Sequence, residues 1–231
     1  MIGKLQKLLW KLGYQLVRNE DLHMDEGYLD RSEFQYVLWL DRVYSKIASI
    51  PGNIVEIGVA RGRNSIIFGR LMQLHGETAI RNYYGFDTFE GYAARDLARD
   101  KHLRAESFTG ITYDEVSQRL AKAGLGRTCH LIKGDIRETA PKFAENEGPN
   151  FQPGHLKVAL LYIDCNAYDP ALFSMRYFSQ FMADGGIICI DEKMQGSETR
   201  ALDAFCADRG QSATRDPGPF GLPAYVAVRR T

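Results

Sequence analysis

Short apolar runs that alternate with amphipathic stretches constrain the fold of this chain most strongly. The apolar runs predict six strands, at residues 53–59, 82–87, 129–133, 155–164, 186–191 and 224–229. Apolar residues at helical spacing predict helices at residues 32–49, 64–74, 113–123, 171–182 and 198–208. Nearly continuous apolar strands separated by such helices are typical of a parallel sheet covered on both faces. The 231 residues therefore predict one α/β fold with a mostly parallel sheet.

Two stretches depart from this pattern, at residues 91–110 and 145–154. Both are predicted to be surface insertions near the ligand-binding edge, because long loops in compact domains often act as lids or binding loops. The first is charged and could contact a phosphate or carboxylate of a ligand, although a solvated loop is the favoured interpretation. Its basic residues are Arg95, Arg99, Lys101, His102 and Arg104.

The charge balance and the cysteines exclude several classes of protein. The chain has 29 Lys and Arg against 29 Asp and Glu, so no global positive field recruits nucleic acid, and we expect no nucleic-acid partner. The four cysteines form no Cys-x-x-Cys pair, which argues against a zinc site and favours reduced thiols in a cytoplasmic protein. No apolar run is long enough to span a bilayer, and no signal peptide is evident.

Glycines and acids follow the predicted strands at the places where a doubly wound sheet binds its ligands. Gly58 and Gly62 follow the first strand and allow a tight turn with close ligand approach. Asp87 ends the second strand and could accept hydrogen bonds from two ribose hydroxyls. Gly134 and Asp135 follow the third, where Asp135 could accept from an adenine amino group. Together these residues predict a nucleoside-type cofactor, and the absence of Gly-x-Gly-x-x-Gly argues against a dinucleotide.

Several segments share their order and spacing with one known family. They are residues 51–62 (PGNIVEIGVARG), 85–91 (GFDTFEG), 133–141 (KGDIRETAP), 162–164 (YID) and 185–192 (GGIICIDE). In these segments the chain resembles the macrocin O-methyltransferase (TylF-type) family over about two-thirds of its length. The resemblance implies a Rossmann-like class I methyltransferase fold and S-adenosylmethionine as cofactor. It also implies methyl transfer to a hydroxyl of a sugar or natural product, assisted by a divalent cation such as magnesium.

The resemblance further implies which residues bind the cofactor. The first strand end lines the methionine part, the second holds the ribose, the third borders the adenine, and residues 23–31 form a lid. The residues so assigned are Glu56, Gly58 and Gly62, then Asp87 and Thr88, then Gly134 and Asp135, and Tyr28 in the lid. Residues 1–50 are accordingly predicted to form N-terminal helices with the lid, and residues 51–231 the methyltransferase domain. Residues 1–18 predict an amphipathic basic helix that packs on the domain or on a second copy of the chain.

Three acids follow the two late apolar strands and predict a magnesium site. Asp164 ends one strand, and Asp191 and Glu192 end the next. Neighbouring strands would bring these carboxylates to one rim, where they suit a hard cation. Without a cation they would repel each other or hold a proton. The alternative is an ion pair with a base such as Lys193.

The predicted catalytic base is missing from its usual place. The family usually has a second aspartate two residues after Asp164, and this chain has Asn166, which takes no proton at neutral pH. Asn166 could still ligate a metal or orient a hydroxyl. Candidate replacements for the base are His23, His155, Tyr168 and Asp169.

The missing base leaves other functions open. An N-methyltransferase without metal needs no strong base, and a non-catalytic protein could keep the fold and the cofactor. A nicotinamide-dependent oxidoreductase on a similar sheet is the least favoured alternative. The most favoured function is methylation of a small polyhydroxylated acceptor, by a chain that could form a homo-oligomer.

Overall fold

A seven-stranded sheet forms the centre of the fold, in the strand order β3-β2-β1-β4-β5-β7-β6. The computed structural model describes residues 31–147, 156–191, 196–215 and 224–227. The strands are β1 (Asn53–Ile57), β2 (Tyr83–Asp87), β3 (Cys129–Lys133), β4 (Val158–Ile163), β5 (Met182–Ile190), β6 (Thr214–Arg215) and β7 (Ala224–Ala227). Strands β1 to β5 are parallel, and β7 pairs antiparallel with both β5 and β6. The predicted mostly parallel sheet is therefore confirmed.

One helix precedes β1, and the others lie between consecutive strands in the chain. They are α1 (Arg31–Ser45), α2 (Arg63–Leu74), α3 (Ala94–Arg99), α4 (Tyr113–Lys122), α5 (Ile136–Lys142), α6 (Tyr168–Phe178) and α7 (Ser197–Ala207). Five of these were predicted, within a few residues at each end. Helix α3 was not predicted, and it lies within residues 91–110, which the sequence analysis interprets as a surface insertion. Helix α5 is also new, and it begins where the Asp135 carboxylate accepts the N–H of Arg137.

The two faces of the sheet bury separate apolar clusters, which explains the continuous apolar runs in the sequence. On β1, Ile54 joins the cluster that holds α1 and α2, while Val55 and Ile57 join the cluster that holds α6 and α7. Every residue of β4 is buried. A strand in this position has no solvated face, so its residues do not alternate between polar and apolar.

The end of α1 is tied to the start of β1 by one buried arginine. The Arg81 guanidinium donates to the carbonyls of Ile47, Ile50 and Gly52 and pairs with Glu77. The compact unit that carries the sheet begins at Tyr36. The predicted division at residue 50 stays a prediction. The predicted helix at residues 1–18 lies outside the described residues, as do residues 148–154 of the second predicted insertion.

Two further predictions concern the state of the cysteines and the presence of a membrane-spanning helix. All four cysteines are free thiols, and three of them are buried. Within the part of the chain that the structure describes, no helix is long and apolar enough to cross a membrane.

Candidate active site

A cleft opens at the carboxyl ends of β1 to β4, where the strand order switches between β1 and β4. It holds about 650 Å³ of empty space, part of it open to solvent. Predicted site residues on its wall are Gly58, Asp87, Thr88, Gly134, Asp135, Asp164 and Asn166. The segment after β2 adds Tyr92, Ala93, Asp96 and Phe108, which sequence reasoning did not assign. The cleft lies where a doubly wound sheet binds its ligand.

Gly58 allows the ends of β1 and β4 to come together. Its φ is +93°, and a Cβ at this position would lie 1.9 Å from the carbonyl oxygen of Asp164. The Asp164 N–H in turn donates to the carbonyl of Ile57 at 2.8 Å. Gly62 begins α2 with a φ of +83°, and its missing Cβ makes room for Val116. The sequence predicted that these glycines admit a ligand, but packing of the chain against itself already requires both.

Asp87 fixes the turn that follows β1. Its Oδ2 accepts the N–H groups of Val59 and Ala60 at 2.9 and 2.8 Å, and its Oδ1 accepts that of Phe89 at 2.7 Å. Ala60 and Phe89 both have positive φ, which these hydrogen bonds help to hold. The Thr88 hydroxyl lies 3.5 Å from Oδ1, but it donates its one hydrogen to the carbonyl of Gly91 at 2.6 Å. Of the roughly four hydrogen bonds that a carboxylate accepts, one is therefore left for a ligand hydroxyl.

Asp135 lies between two arginines at the end of β3. Arg95 contacts its Oδ2 at 2.5 Å, and Arg137 donates to it while also holding Asp96 through two bonds of 2.8 Å. Burial acts to raise the pKa of Asp135, but the hydrogen bonds from the two arginines outweigh it and hold that pKa well below its usual range. Asp135 therefore keeps its charge, and its predicted contact with adenine would have to share the carboxylate with both arginines.

Glu56 lies beneath the cleft rather than on its wall. Its side chain is buried, and it accepts hydrogen bonds from Asn64 Nδ2 at 2.8 Å and from the Tyr83 hydroxyl. Burial raises the pKa of Glu56 to about 8, against the opposing effect of these two donors. In this position Glu56 supports the turn after β1 from below, without direct access to the cleft.

Asp164 and Asp191, two of the three predicted metal ligands, come together at the ends of β4 and β5. Their carboxyl groups share a hydrogen bond, and the Tyr36 hydroxyl donates to Asp191 Oδ2 at 2.7 Å. The pKa values of both aspartates are raised, first by loss of solvent and, for Asp164, also by the charges of Asp191, Glu198 and Glu56. The Arg63 guanidinium acts in the opposite direction on both aspartates, and it stacks 4.1 Å from the ring centroid of Tyr36.

Only two of the three predicted metal ligands lie within the described residues. Glu192 lies outside the described residues, and within them no group of three His, Cys, Asp or Glu is placed to hold a metal ion. Two neighbouring carboxyls of raised pKa need a shared proton or a cation between them. The chemistry of the pair is thus compatible with a hard cation whose third ligand comes from outside the described residues.

Asn166 is the point at which three distant segments meet. It has a φ of 58°, and its N–H and that of Cys165 both donate to Glu198 Oε1 at 2.5 Å. Its carbonyl oxygen lies 3.1 Å from His102 Nε2, and its side chain bonds the Tyr92 hydroxyl. Sequence reasoning missed these three partners because each is more than thirty residues away. The charged character of residues 91–110 was the one signal that pointed to this segment.

Two of the bases considered from the sequence, Tyr168 and Asp169, contact Arg99, which is not part of the cleft wall. Tyr168 donates its N–H to Asp100 and packs its ring 4.4 Å from the Arg99 guanidinium. Asp169 pairs with Arg99 at 3.2 Å. His23, His155 and Tyr28 lie outside the described residues.

Known proteins share this sequence pattern and fold. The family model described as "Methyltransferase domain" matches residues 55–192. The chain is 28% identical over 176 residues to the 8-demethyl-8-(2,3-dimethoxy-alpha-L-rhamnosyl)-tetracenomycin-C 4'-O-methyltransferase of Streptomyces olivaceus, covering 73% of this chain and 62% of that protein. It thus spans less than two-thirds of that relative's length.

Solved methyltransferase structures have the same fold. CalS11, described as a TDP-rhamnose 3'-O-methyltransferase of calicheamicin biosynthesis, has a TM-score of 0.65 at 22% identity, over 97% of this chain and 93% of its own. The O-methyltransferase NovP has a TM-score of 0.66 at 18% identity, over 85% of this chain and 80% of its own. These likenesses confirm the predicted Rossmann-like class I fold, and the family match covers more than half of the sequence. The chain therefore belongs to the family of proteins with a methyltransferase domain.

Proposed function

We propose that this chain transfers a methyl group from S-adenosylmethionine to a hydroxyl of a sugar on a natural product or nucleotide. The observation that carries the proposal is the cleft at the switch between β1 and β4. One side of it carries the Asp87 turn, and the other carries Asp164, whose carboxyl group pairs with that of Asp191. The rhamnose derivatives named for the tetracenomycin relative and for CalS11 support a deoxysugar as acceptor.

The cofactor site that we propose runs along the ends of β1 to β3. S-adenosylmethionine supplies an already activated methyl group. Asp87 has one acceptor site left for a ribose hydroxyl, and Gly134, with a φ of +134°, brings backbone close to the ligand. Ile57, Phe86 and Ile136 give the cleft apolar walls suited to an adenine ring. Thr88 keeps this edge in shape by donating to the carbonyl of Gly91 at 2.6 Å.

The metal that we propose belongs to the acceptor side of the cleft. Asp164 and Asp191 would each supply an oxygen, and Glu192 is the predicted third ligand. A magnesium ion bound there would lower the pKa of the acceptor hydroxyl and neutralise the facing carboxyls. Tyr36 helps to position Asp191 for this role by donating to its Oδ2 at 2.7 Å.

Calorimetric titration and a methyl-transfer assay test the two parts separately. S-adenosylmethionine is titrated into the full chain in EDTA and then with magnesium. TDP-L-rhamnose and a rhamnosylated polyketide are then offered as acceptors, and products are read by mass spectrometry. We expect cofactor binding in both conditions, methylated sugar, and a magnesium signal that Asp191→Asn removes. The matched control is Asp208→Asn, an exposed aspartate paired with Arg176.

The outcomes separate the alternatives. Cofactor binding and turnover that are unchanged by EDTA would exclude the metal but still support methyl transfer. Methylation of aminosugars alone would favour the N-methyltransferase, which Asn166 in place of a base allows. Absence of cofactor binding would contradict the proposal as a whole.

A further inference from the structure

His102 does not line the cleft itself, but it contacts a residue of the cleft wall. Its Nε2 is 3.1 Å from the carbonyl oxygen of Asn166, whose residue lines the cleft. A carbonyl oxygen only accepts hydrogen bonds, so Nε2 must carry the hydrogen. In the neutral ring the lone pair then lies on Nδ1. An imidazole with one nitrogen held by a carbonyl and the other carrying a lone pair has the form of an oriented general base.

A buried aspartate holds the segment that carries His102. Asp100 is 3% exposed, and its Oδ2 accepts the N–H of Tyr168 at 2.8 Å. Its Oδ1 accepts the Ser197 hydroxyl at 2.6 Å and a bond from Arg200 at 3.2 Å. Tyr168 begins α6 and Ser197 begins α7, the helices that follow β4 and β5. Asp100 thus anchors the segment to the elements after the two strands that end at Asp164 and Asp191.

Resting on the proposed function, we propose that His102 is the base that removes the proton from the acceptor hydroxyl, in place of a carboxylate at position 166. It stands beside the residue where the base is missing, on an anchored segment whose other residues form the cleft wall. His102 is also exposed, so a proton that it takes can pass on to water. Asp100 is the positioning residue for this step.

The step balances without a further reactant. The acceptor oxygen forms its bond to the methyl carbon as the carbon–sulfur bond breaks, and the electron pair of that bond stays on sulfur. The hydroxyl proton moves to Nδ1 of His102 and then to water. The products are the methyl ether, S-adenosylhomocysteine and one released proton.

Two substitutions and a chemical rescue test this assignment in the full chain with the rhamnosyl acceptors named above. We expect His102→Ala to lower kcat by at least about 100-fold, the usual contribution of a general base. The dissociation constant for S-adenosylmethionine should stay within about twofold, and added imidazole should restore part of the rate. His102→Gln keeps a donor for the Asn166 carbonyl but has no base, so it should be as slow as His102→Ala. The matched control is His75→Ala, an exposed histidine that stacks on Tyr44.

Two further measurements test the positioning role of Asp100 and the protonation of the His102 ring. Asp100→Asn should lower kcat by about tenfold in the wild-type background and have no further effect once His102 is alanine, because both changes act on one step. Nitrogen-15 NMR of the histidines with S-adenosylhomocysteine bound, which needs no acceptor, should show His102 protonated at Nε2 and bare at Nδ1.

Each adverse result has its own meaning. A His102→Gln enzyme with full activity would reduce His102 to a donor that holds Asn166, and would overturn the assignment. A ring protonated at Nδ1 would overturn it as well. A wild-type chain that methylates none of the acceptors would instead contradict the proposed function, and the role of His102 with it.

Discussion

The two halves of the strand-end rim hold their carboxyl groups in opposite ways. On the half formed by β1 to β3, Asp87 accepts three backbone N–H groups and Asp135 accepts two arginines. On the half formed by β4 and β5, Asp164 and Asp191 face each other, with Glu198 and Glu56 close enough to act on Asp164. Asp191 accepts the Tyr36 hydroxyl at 2.7 Å, and Asp164 accepts the Asn64 side-chain amide at 3.3 Å.

This difference shows which half of the rim can change its charge. Backbone N–H groups and guanidinium groups do not titrate near neutral pH, so the partners of Asp87 and Asp135 keep their charge and place. Glu56 is on β1, but it lies beneath the cleft and acts on Asp164, so it belongs with the second half. Carboxyls that face each other hold a proton or a cation and exchange it easily. The proposed cofactor site is thus rigid, and the proposed acceptor site is the half where protons and ions move.

Gly58→Ala should have the largest effect, because Gly58 is the point where the two halves touch. The new Cβ would lie 1.9 Å from the Asp164 carbonyl oxygen, and the φ of +93° is unfavourable for alanine. We expect a loss of more than about 4 kcal/mol in the free energy of unfolding, among the largest values for one substitution. Urea denaturation measures it. Gly76→Ala is the control, since it also has positive φ but nothing within 4 Å of its Cβ; equal losses would contradict the argument.

Asp87→Asn should disrupt only the fixed half, at the ends of β1 to β3. An amide has one accepting oxygen, so the N–H groups of Val59, Ala60 and Phe89 can no longer all be satisfied. We expect a loss of about 2–3 kcal/mol in unfolding free energy and at least about tenfold weaker S-adenosylmethionine binding. Glu90→Gln, whose side chain is 72% exposed, should change neither. Unchanged cofactor affinity in the Asp87 variant would remove Asp87 from the proposed site.

The sequence predicted the residues at the strand ends of both halves, but it did not predict the contacts that reach the acceptor half from distant segments, for a physical reason. Asp87, Gly134 and Asp135 follow their strands directly, and strand position alone places them at the cleft. The contact of His102 with Asn166 joins residues 64 apart, and that of Glu198 joins residues 32 apart. Such contacts depend on how α3 and α7 pack, which local patterns do not encode. Glu56 was placed on the correct strand, but the alternation that turns it away from the cleft shows only in the folded sheet.

Glu56→Gln should reduce the pH dependence of stability. Glu56 has a pKa of about 8 in the folded state against an ordinary 4.5, so the folded chain holds its proton over this whole range. Stability therefore falls as the pH rises from about 4.5 to 8, by about 1.4 kcal/mol per pH unit for one proton. Asp164 and Asp191 have raised pKa values and act in the same direction.

Glutamine stays neutral, so the variant should lose about 2 kcal/mol less than wild type between pH 5.5 and 7.5. Urea denaturation at several pH values measures how the free energy of unfolding of each protein changes with pH. Parallel slopes would mean that Glu56 is ionised in the folded protein, and that the protons of the acceptor half lie on the aspartates alone.

Arg95→Ala should have the smallest effect and shows how redundant the fixed half is. The Arg95 side chain is 55% exposed, and exposed ion pairs contribute less than about 1 kcal/mol. Asp135 keeps Arg137, whose side chain is only 15% exposed and which also binds Asp96 through two bonds. Arg137→Ala should therefore cost more than Arg95→Ala in urea denaturation, because it leaves two carboxylates without a shared partner. If removal of Arg95 instead weakened cofactor binding more than about threefold, Arg95 itself would contact the ligand. The fixed half would then need its cofactor to be complete, whereas the hydrogen bonds of Asp87 suggest that it is complete alone.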